Sequence, residues 1–432
     1  MLDVFTSGIM SVWLEMAGMN RDQLNRTSQQ MWESSLSNII SIERPDPAVE
    51  AIVQQYLARL SSRGISSASQ GVWIEAGPFT VANHRGDIPL SAASITKIAT
   101  SLAALQTWSV NHQFETIIGA TGPIENGVLQ GDLVIVGGGN PFFVWEEAFS
   151  LGYALNQLGI RQVRGNLTIA GNFSMNYESE PQLVGNLLRQ SLDSRLWESE
   201  AATQYVRSGS RLPKPQVQIL GSVQYVTSPP NLQPLIRHRS LSLAEIIKQM
   251  NIYSNNPISE MLAETLGGAE MVRRLAAEAA GVSVDEIRLI NGSGLGHENQ
   301  ISPRASVAMF IALDRHLRDT DLTVADLLPV AGRDLGTLEY RRIPPHSAVK
   351  TGTLFDVSAL AGAIPTRDRG VVWFAIINRA TGLDALRDDQ DWLLQQLVNY
   401  WGASDVLPIT LTNNLDGTRP ALGDLARIDR VN

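Results

Sequence analysis

The chain has 432 residues, 44% of them apolar and 18% charged, a composition that fits two or three folded domains and excludes a largely disordered protein. Its net charge of −9 excludes a broad basic face for phosphates, so no nucleic-acid partner is expected. There are no cysteines, which removes disulfides, thiolate zinc sites and a cysteine nucleophile together.

Residues 1–20 are apolar but flanked by Asp3 and Glu15, and the first base is Arg21. That pattern lacks the basic start of a secretory signal and reads as an amphipathic helix packed on the body, with a membrane-surface anchor as the alternative. No apolar run of about 18 residues occurs, so no transmembrane span is expected. Residues 47–60 read as an amphipathic helix with Pro47 in its first turn. Gly71 to Glu75 and Phe79 to Asn83 read as two short strands. Ile95, Ile98, Ala99, Leu102 and Leu105 recur at helical spacing, which predicts a buried helix starting near Ser91 or Ala92. From 115 to 235 short alternating runs are broken by Gly, Asn and Pro. Gly131 to Gly137 and Gly165 to Gly171 share the pattern Gly-[Asp/Asn]-Leu-x-Ile-x-Gly, and Val217 to Val226 adds another strand, so a β-rich module is expected here. Helices follow at 241–266, 268–281 and 304–316, then strands at 348–354, 357–364 and 370–378, and a helix at 383–400. The division predicted is an N-terminal segment (1–45), a main domain from 46–114 and 236–405, an inserted β-rich domain (115–235) and an irregular tail (406–432).

Only four lysines occur: Lys97, Lys214, Lys248 and Lys350. Lysine, unlike arginine, can be tuned by burial into a proton shuttle, and two of the four sit in motifs. Ser94-Ile-Thr-Lys97 places a hydroxyl and an amine on one helix face, one turn apart. A serine hydroxyl is a weak nucleophile until a base lies within hydrogen-bond reach, and a buried lysine can be that base. Ser347-Ala-Val-Lys350 also matches Ser-x-x-Lys, but it enters a strand, where i and i+3 point to opposite faces, so Ser347 is rejected as nucleophile. In Lys350-Thr351-Gly352-Thr353 the lysine can hold an anionic group, the threonines can donate to a carboxylate, and Gly352 lets a substrate backbone approach closely. Ser254-Asn255-Asn256 lies in a short polar loop between two helices, with Asn255 read as a helix cap before Pro257. The six histidines are scattered without ligand spacing, so neither a metal site nor a cofactor is expected. His346, four residues before Lys350, reads as a surface residue. Asn291-Gly-Ser-Gly-Leu is not a nucleophile elbow and reads as a tight turn near the cleft.

Ser-x-x-Lys at 94, Ser-x-Asn at 254 and Lys-Thr-Gly at 350 occur in the order that marks penicillin-binding proteins and class A β-lactamases. With Gly-Asp-Leu-x-x-x-Gly-Gly-Gly-Asn-Pro (131–141), Tyr-Ser-Asn-Asn (253–256) and Asn-Gly-Ser-Gly-Leu (291–295), the chain resembles the low-molecular-mass class C penicillin-binding proteins, D-alanyl-D-alanine carboxypeptidases/endopeptidases, over most of 70–380. The resemblance implies an α+β (mixed α/β) transpeptidase-like domain, an antiparallel sheet flanked by helices, interrupted by an inserted module. It implies that Ser94 is acylated, that Lys97 is its base, that Ser254 and Lys350 relay a proton to the leaving group, and that Asn256 orients the substrate amide. Thr351, Gly352 and Thr353 would line the substrate, and the amides of Ser94 and Thr353 would form the oxyanion hole. Peptidoglycan peptides as substrate, β-lactams as covalent inhibitors and a periplasmic or cell-envelope location follow from the same resemblance. The sequence departs from the family at 140–143, Asn-Pro-Phe-Phe where Asp-Pro and a smaller residue are expected, and its insertion looks short. A β-lactamase-like or esterase-like hydrolase and a non-catalytic wall-binding module on the same scaffold are the competing readings.

Overall fold

The computed structural model describes residues 42–415 and 420–431; the expected helix at 1–20 lies outside the described residues. Three strands near the C-terminus join three near the start in one sheet. The order across the six-stranded sheet is Ile42–Glu43, Phe79–His84, Gln70–Ala76, Gly370–Arg379, Val357–Thr366 and Ala348–Leu354. All neighbours are antiparallel except the first pair.

Period-2 alternation decides what each face of this sheet meets. Val72, Ile74, Leu360, Phe374 and Ile376 enter one core with the helices Pro47–Ser61 and Leu383–Trp401. The intervening residues face the other core, with Ala359, Ala361, Ala363 and Ala375 at its middle strands and Trp73, Trp373 and Ile377 beside them. Against this face lie the helix Pro303–Leu317 and the turn Ala93–Ile95, and the helices Thr96–Thr107, Leu243–Tyr253, Asn256–Leu266 and Ala269–Ala280 complete the same core. The two long flanking helices are also tied by charge, since Arg59 and Arg63 both reach the buried carboxylate of Asp389, at 2.9 and 2.7 Å. The expected fold, an antiparallel sheet with helices on both faces, is what the chain adopts.

The stretch after Phe114 builds a second sheet with its own core. Its order is Val223–Val226, Leu167–Asn172, Leu133–Gly138, Glu115–Ala120, Gln233–Arg239 and Ile428–Arg430. The two copies of the repeated pattern are adjacent parallel strands in register, Leu133 against Leu167 and Gly137 against Gly171. Parallel neighbours need a crossover, and the helices Trp145–Gln157 and Pro181–Leu192 supply it. The expectation of a β-rich module is therefore corrected to an α/β one. Ala148, Leu151 and Leu155 form the buried stripe of the first crossover helix, a helical spacing hidden among strand-like runs. The boundary expected between 235 and 236 cuts through the strand Gln233–Arg239, which pairs with 115–120. The tail is corrected as well: Ile428–Arg430 pairs with Ile236–His238, and Leu411 is buried in the main core.

Candidate active site

The nucleophile turn is not the plain helix start expected. Leu90–Ser91 is a short strand, Ala93–Ile95 a 3-10 turn, and the α-helix begins at Thr96. Ala93 has φ +47°, a left-handed conformation that a residue with a Cβ holds only when its surroundings enforce it. Two close approaches do so. A Cβ on Gly294 would lie 1.9 Å from the Ala93 carbonyl oxygen, and one on Gly352 would lie 2.6 Å from that of Ala92. Gly352 therefore lets the edge strand touch the nucleophile turn, a packing role beside the substrate approach expected of it.

The turn leaves Ser94 half-buried with Lys97 Nζ 3.1 Å from its Oγ. Lys97 is fully buried; its amine also donates to Asn256 Oδ1 at 2.7 Å and to the Ser293 carbonyl at 2.8 Å. Burial lowers its pKa to about 7, against the opposing pull of Glu260.

The second motif sits at a two-residue break between helices. Ser254 closes the helix Leu243–Tyr253 in the left-handed conformation, φ 52°. Asn255 caps the next helix, its side chain accepting from the Ile258 amide at 2.9 Å, as its place before Pro257 predicts. Asn256, at the start of that helix, points at Lys97. Ser254 Oγ accepts from Lys350 Nζ at 3.0 Å. Lys350, also fully buried, donates to the Thr351 carbonyl at 2.8 Å and has its pKa pushed well down by burial and by the charge of Lys97. Its strand, Ala348–Leu354, is the last of the sheet. Thr353, exposed beyond it, accepts from Arg387 at 3.3 Å.

Of the eight candidate site residues, Ser94, Lys97 and Asn256 are joined by hydrogen bonds, as are Ser254 and Lys350, and Thr351, Gly352 and Thr353 lie on the strand of Lys350 that touches the nucleophile turn. Ser347, rejected as nucleophile, is buried and donates to the Pro344 carbonyl at 2.6 Å. His346 is exposed. Sequence reasoning missed Glu260 and the part played by Ser293, because a lone helical acid and a backbone carbonyl leave no motif. Among the described residues no cluster of His, Cys, Asp or Glu could hold a metal ion, and no helix is long and apolar enough to cross a membrane.

A serine and a buried lysine one turn apart, faced by a Ser-x-Asn loop and a Lys-Thr-Gly edge strand, define the class: a serine acyl enzyme of the penicillin-recognising kind. The D-Ala-D-Ala carboxypeptidase 3 (S13) family matches residues 58–181 and 181–399. A curated relative, the D-alanyl-D-alanine carboxypeptidase DacB of Haemophilus influenzae, is 22% identical over 388 residues, covering 67% of this chain and 80% of its own. The D-alanyl-D-alanine carboxypeptidase of Actinomadura sp. is 30% identical over 186 residues, 39% of this chain and 34% of that one. Among solved structures, Bd3459, a predatory peptidoglycan endopeptidase from Bdellovibrio bacteriovorus, superposes with TM-score 0.69 at 19% identity over 84% of this chain and 98% of that one. Penicillin binding protein 4 from Haemophilus influenzae gives TM-score 0.62 at 18% identity over 82% and 99%. The chain belongs to the S13 family, the low-molecular-mass class C penicillin-binding proteins, and is a serine-type D-Ala-D-Ala carboxypeptidase.

Proposed function

We propose that Ser94 cleaves the terminal D-Ala-D-Ala peptide bond of peptidoglycan stem peptides through an acyl-enzyme. The observation that carries this reading is the 3.1 Å contact of Ser94 Oγ with a lysine whose amine is buried. Neutral Lys97 takes the Ser94 proton as Oγ bonds to the penultimate D-Ala carbonyl carbon. The tetrahedral oxyanion is held by the Ser94 and Thr353 amides. Its collapse breaks the C–N bond, and the proton that Lys97 took from Ser94 reaches the leaving D-Ala nitrogen by way of Lys350 and Ser254. Water, deprotonated by Lys97, then frees the acyl group and restores Ser94.

Asn256 gives its side-chain oxygen to Lys97, which leaves its amide N–H to orient the substrate carbonyl. Thr351 and Thr353, with Lys350 behind them, hold the terminal carboxylate, and the edge strand offers backbone groups to an extended peptide. β-Lactams place a strained amide at the same carbonyl position, so they acylate Ser94. A structural relative, Bd3459, is described as penicillin G acylated. The substrate places the protein outside the cytoplasmic membrane, in the periplasm or cell-envelope exterior, and the endopeptidase relatives extend the reading to cross-linked peptides. The six-stranded sheet that ends in Ala348–Leu354, with the flanking helices and turns that carry Ser94, Ser254 and Lys350, acts as the catalytic unit and the second sheet as an accessory module.

The experiment is D-Ala release from a synthetic pentapeptide ending in D-Ala-D-Ala. Wild-type protein releases it, and S94A, folded by circular dichroism, does not. Release by S94A at the wild-type rate contradicts the assignment.

A further inference from the structure

Glu260 belongs to none of the three motifs, yet it is tied to the reacting groups by a chain of short contacts. On the helix Asn256–Leu266, residues 256 and 260 lie one turn apart on one face. Asn256 Oδ1 takes the Lys97 amine at 2.7 Å. The two carboxylate oxygens of Glu260 take the backbone amides of Gly292 and Ser293, at 2.9 and 3.0 Å. The chain so held leads to the Ser293 carbonyl, which accepts from Lys97 Nζ at 2.8 Å. The same turn is gripped from its other side, where the Gly292 carbonyl accepts the hydroxyls of Thr100 and Ser259, both at 2.7 Å. Without Glu260 two amides would lose a charge-assisted acceptor, and the carbonyl that fixes the lysine would lose its anchor.

We propose that Glu260 is a positioning residue for acylation: it locks the Gly292–Ser293 segment so that the Ser293 carbonyl and Asn256 together aim Lys97 Nζ at Ser94. The inference rests on the reading of Lys97 as the base. Glu260 also acts at short range through its charge. The groups facing Lys97 are Ser94 from its own turn, Asn256 and Glu260 from the neighbouring helix, the Ser293 carbonyl from the 291–295 turn, and Lys350 from the edge strand. Of these, Glu260 alone is an acid, and it holds up an amine that burial pushes down. Removing its charge lowers the lysine further, so the pH at which the neutral base appears falls. A residue that merely braced the fold would change the rate without moving that pH.

The test is the second-order rate constant for acylation by a fluorescent penicillin, measured against pH for wild type, E260Q and E260D. E260Q is expected to move the acid limb down by about half a pH unit or more. It should also lower the plateau about tenfold, because Gln can accept only one of the two amides while its NH2 group opposes the other. E260D keeps the charge, so its limb stays at the wild-type pH while its plateau falls. A limb that stays in place in E260Q overturns the proposal, with or without loss of rate. If thermal melting shows E260Q unfolded, E260D decides: a slowed acylation step with wild-type penicillin affinity and wild-type melting temperature supports it, and a wild-type rate overturns it. Failure of the wild type itself to label would instead remove the reading of Ser94 and Lys97 on which the inference rests.

Discussion

A lysine taken out of water loses hydration that an ammonium needs and an amine does not, so burial favours the neutral base. In this chain two lysines are buried at the site, and the charge of Lys97 further disfavours that of Lys350. Lys97 is left neutral to a substantial extent at ordinary pH, with its pKa near 7. With Lys97 as the proposed base, acylation should be slow in acid, rise through about pH 7 and level off above it. A pH profile of the acylation rate constant checks this, and a profile flat from pH 5 to 9 would contradict it. At this scale the sequence was unusually readable. Ser94, Lys97, Ser254, Asn256 and Lys350 carry reactive groups at fixed spacings, and spacing survives without a structure. Glu260 acts on a backbone turn rather than on another motif, so nothing in its own neighbourhood of sequence marks it.

The elements matter because they meet at places where a Cβ would not fit. The edge strand Ala348–Leu354 and the turn that holds Ser94 approach each other across Gly352, where an added Cβ would stand 2.6 Å from the Ala92 carbonyl and 3.2 Å from the Ala93 Cβ. Gly352→Ala should therefore push the strand from the turn, costing about 1–3 kcal/mol of stability. It should also slow acylation about tenfold or more, because the proposed oxyanion donors come one from each element. Thermal melting and penicillin labelling measure the two effects; a normal labelling rate would show that this contact does not set the site. Hydrophobic periodicity located the helix Thr96–Thr107 correctly but not its start. Its periodic residues say where a buried face runs, whereas the 3-10 turn and the left-handed Ala93 are imposed by Gly294 and Gly352 from distant parts of the chain. The crossover helix Trp145–Gln157 was missed for a related reason. Glycine-bounded strand patterns on either side drew the segment toward a β reading, while parallel pairing between those strands is a tertiary fact.

Over the whole molecule, the C-terminal segment touches both the helix Val324–Leu327 of the main core and the second sheet. Thr412 accepts from Thr323 at 2.6 Å, and the amides of Asn414 and Leu415 donate to Asp326 beside the main core, at 2.8 and 2.7 Å. Farther on, the buried Glu147 carboxylate joins three partners: His238 at 2.8 Å, the Gly423 amide at 3.1 Å, and Arg427. Ile428–Arg430 then closes the edge of the second sheet. A stretch rich in Pro, Gly, Asp and Asn has no periodicity to reveal such contacts, because three-residue strands and single ion pairs leave too little pattern. Arg427→Ala removes one partner of a buried carboxylate and should cost on the order of 3 kcal/mol. It should free the last residues to limited proteolysis while leaving acylation of Ser94 close to normal. Protease resistance equal to wild type would show that the packing of this segment does not depend on this pair.

The central claim is that Ser94, activated by Lys97, is the group that becomes acylated. Mass spectrometry of the purified protein after penicillin treatment, with peptide mapping, reads this directly. The account predicts one penicilloyl adduct per chain, on the peptide containing Ser94, absent from S94A and strongly reduced in K97A, by about 10²- to 10⁴-fold in rate. An adduct on another residue, or an undiminished adduct in S94A, would contradict it.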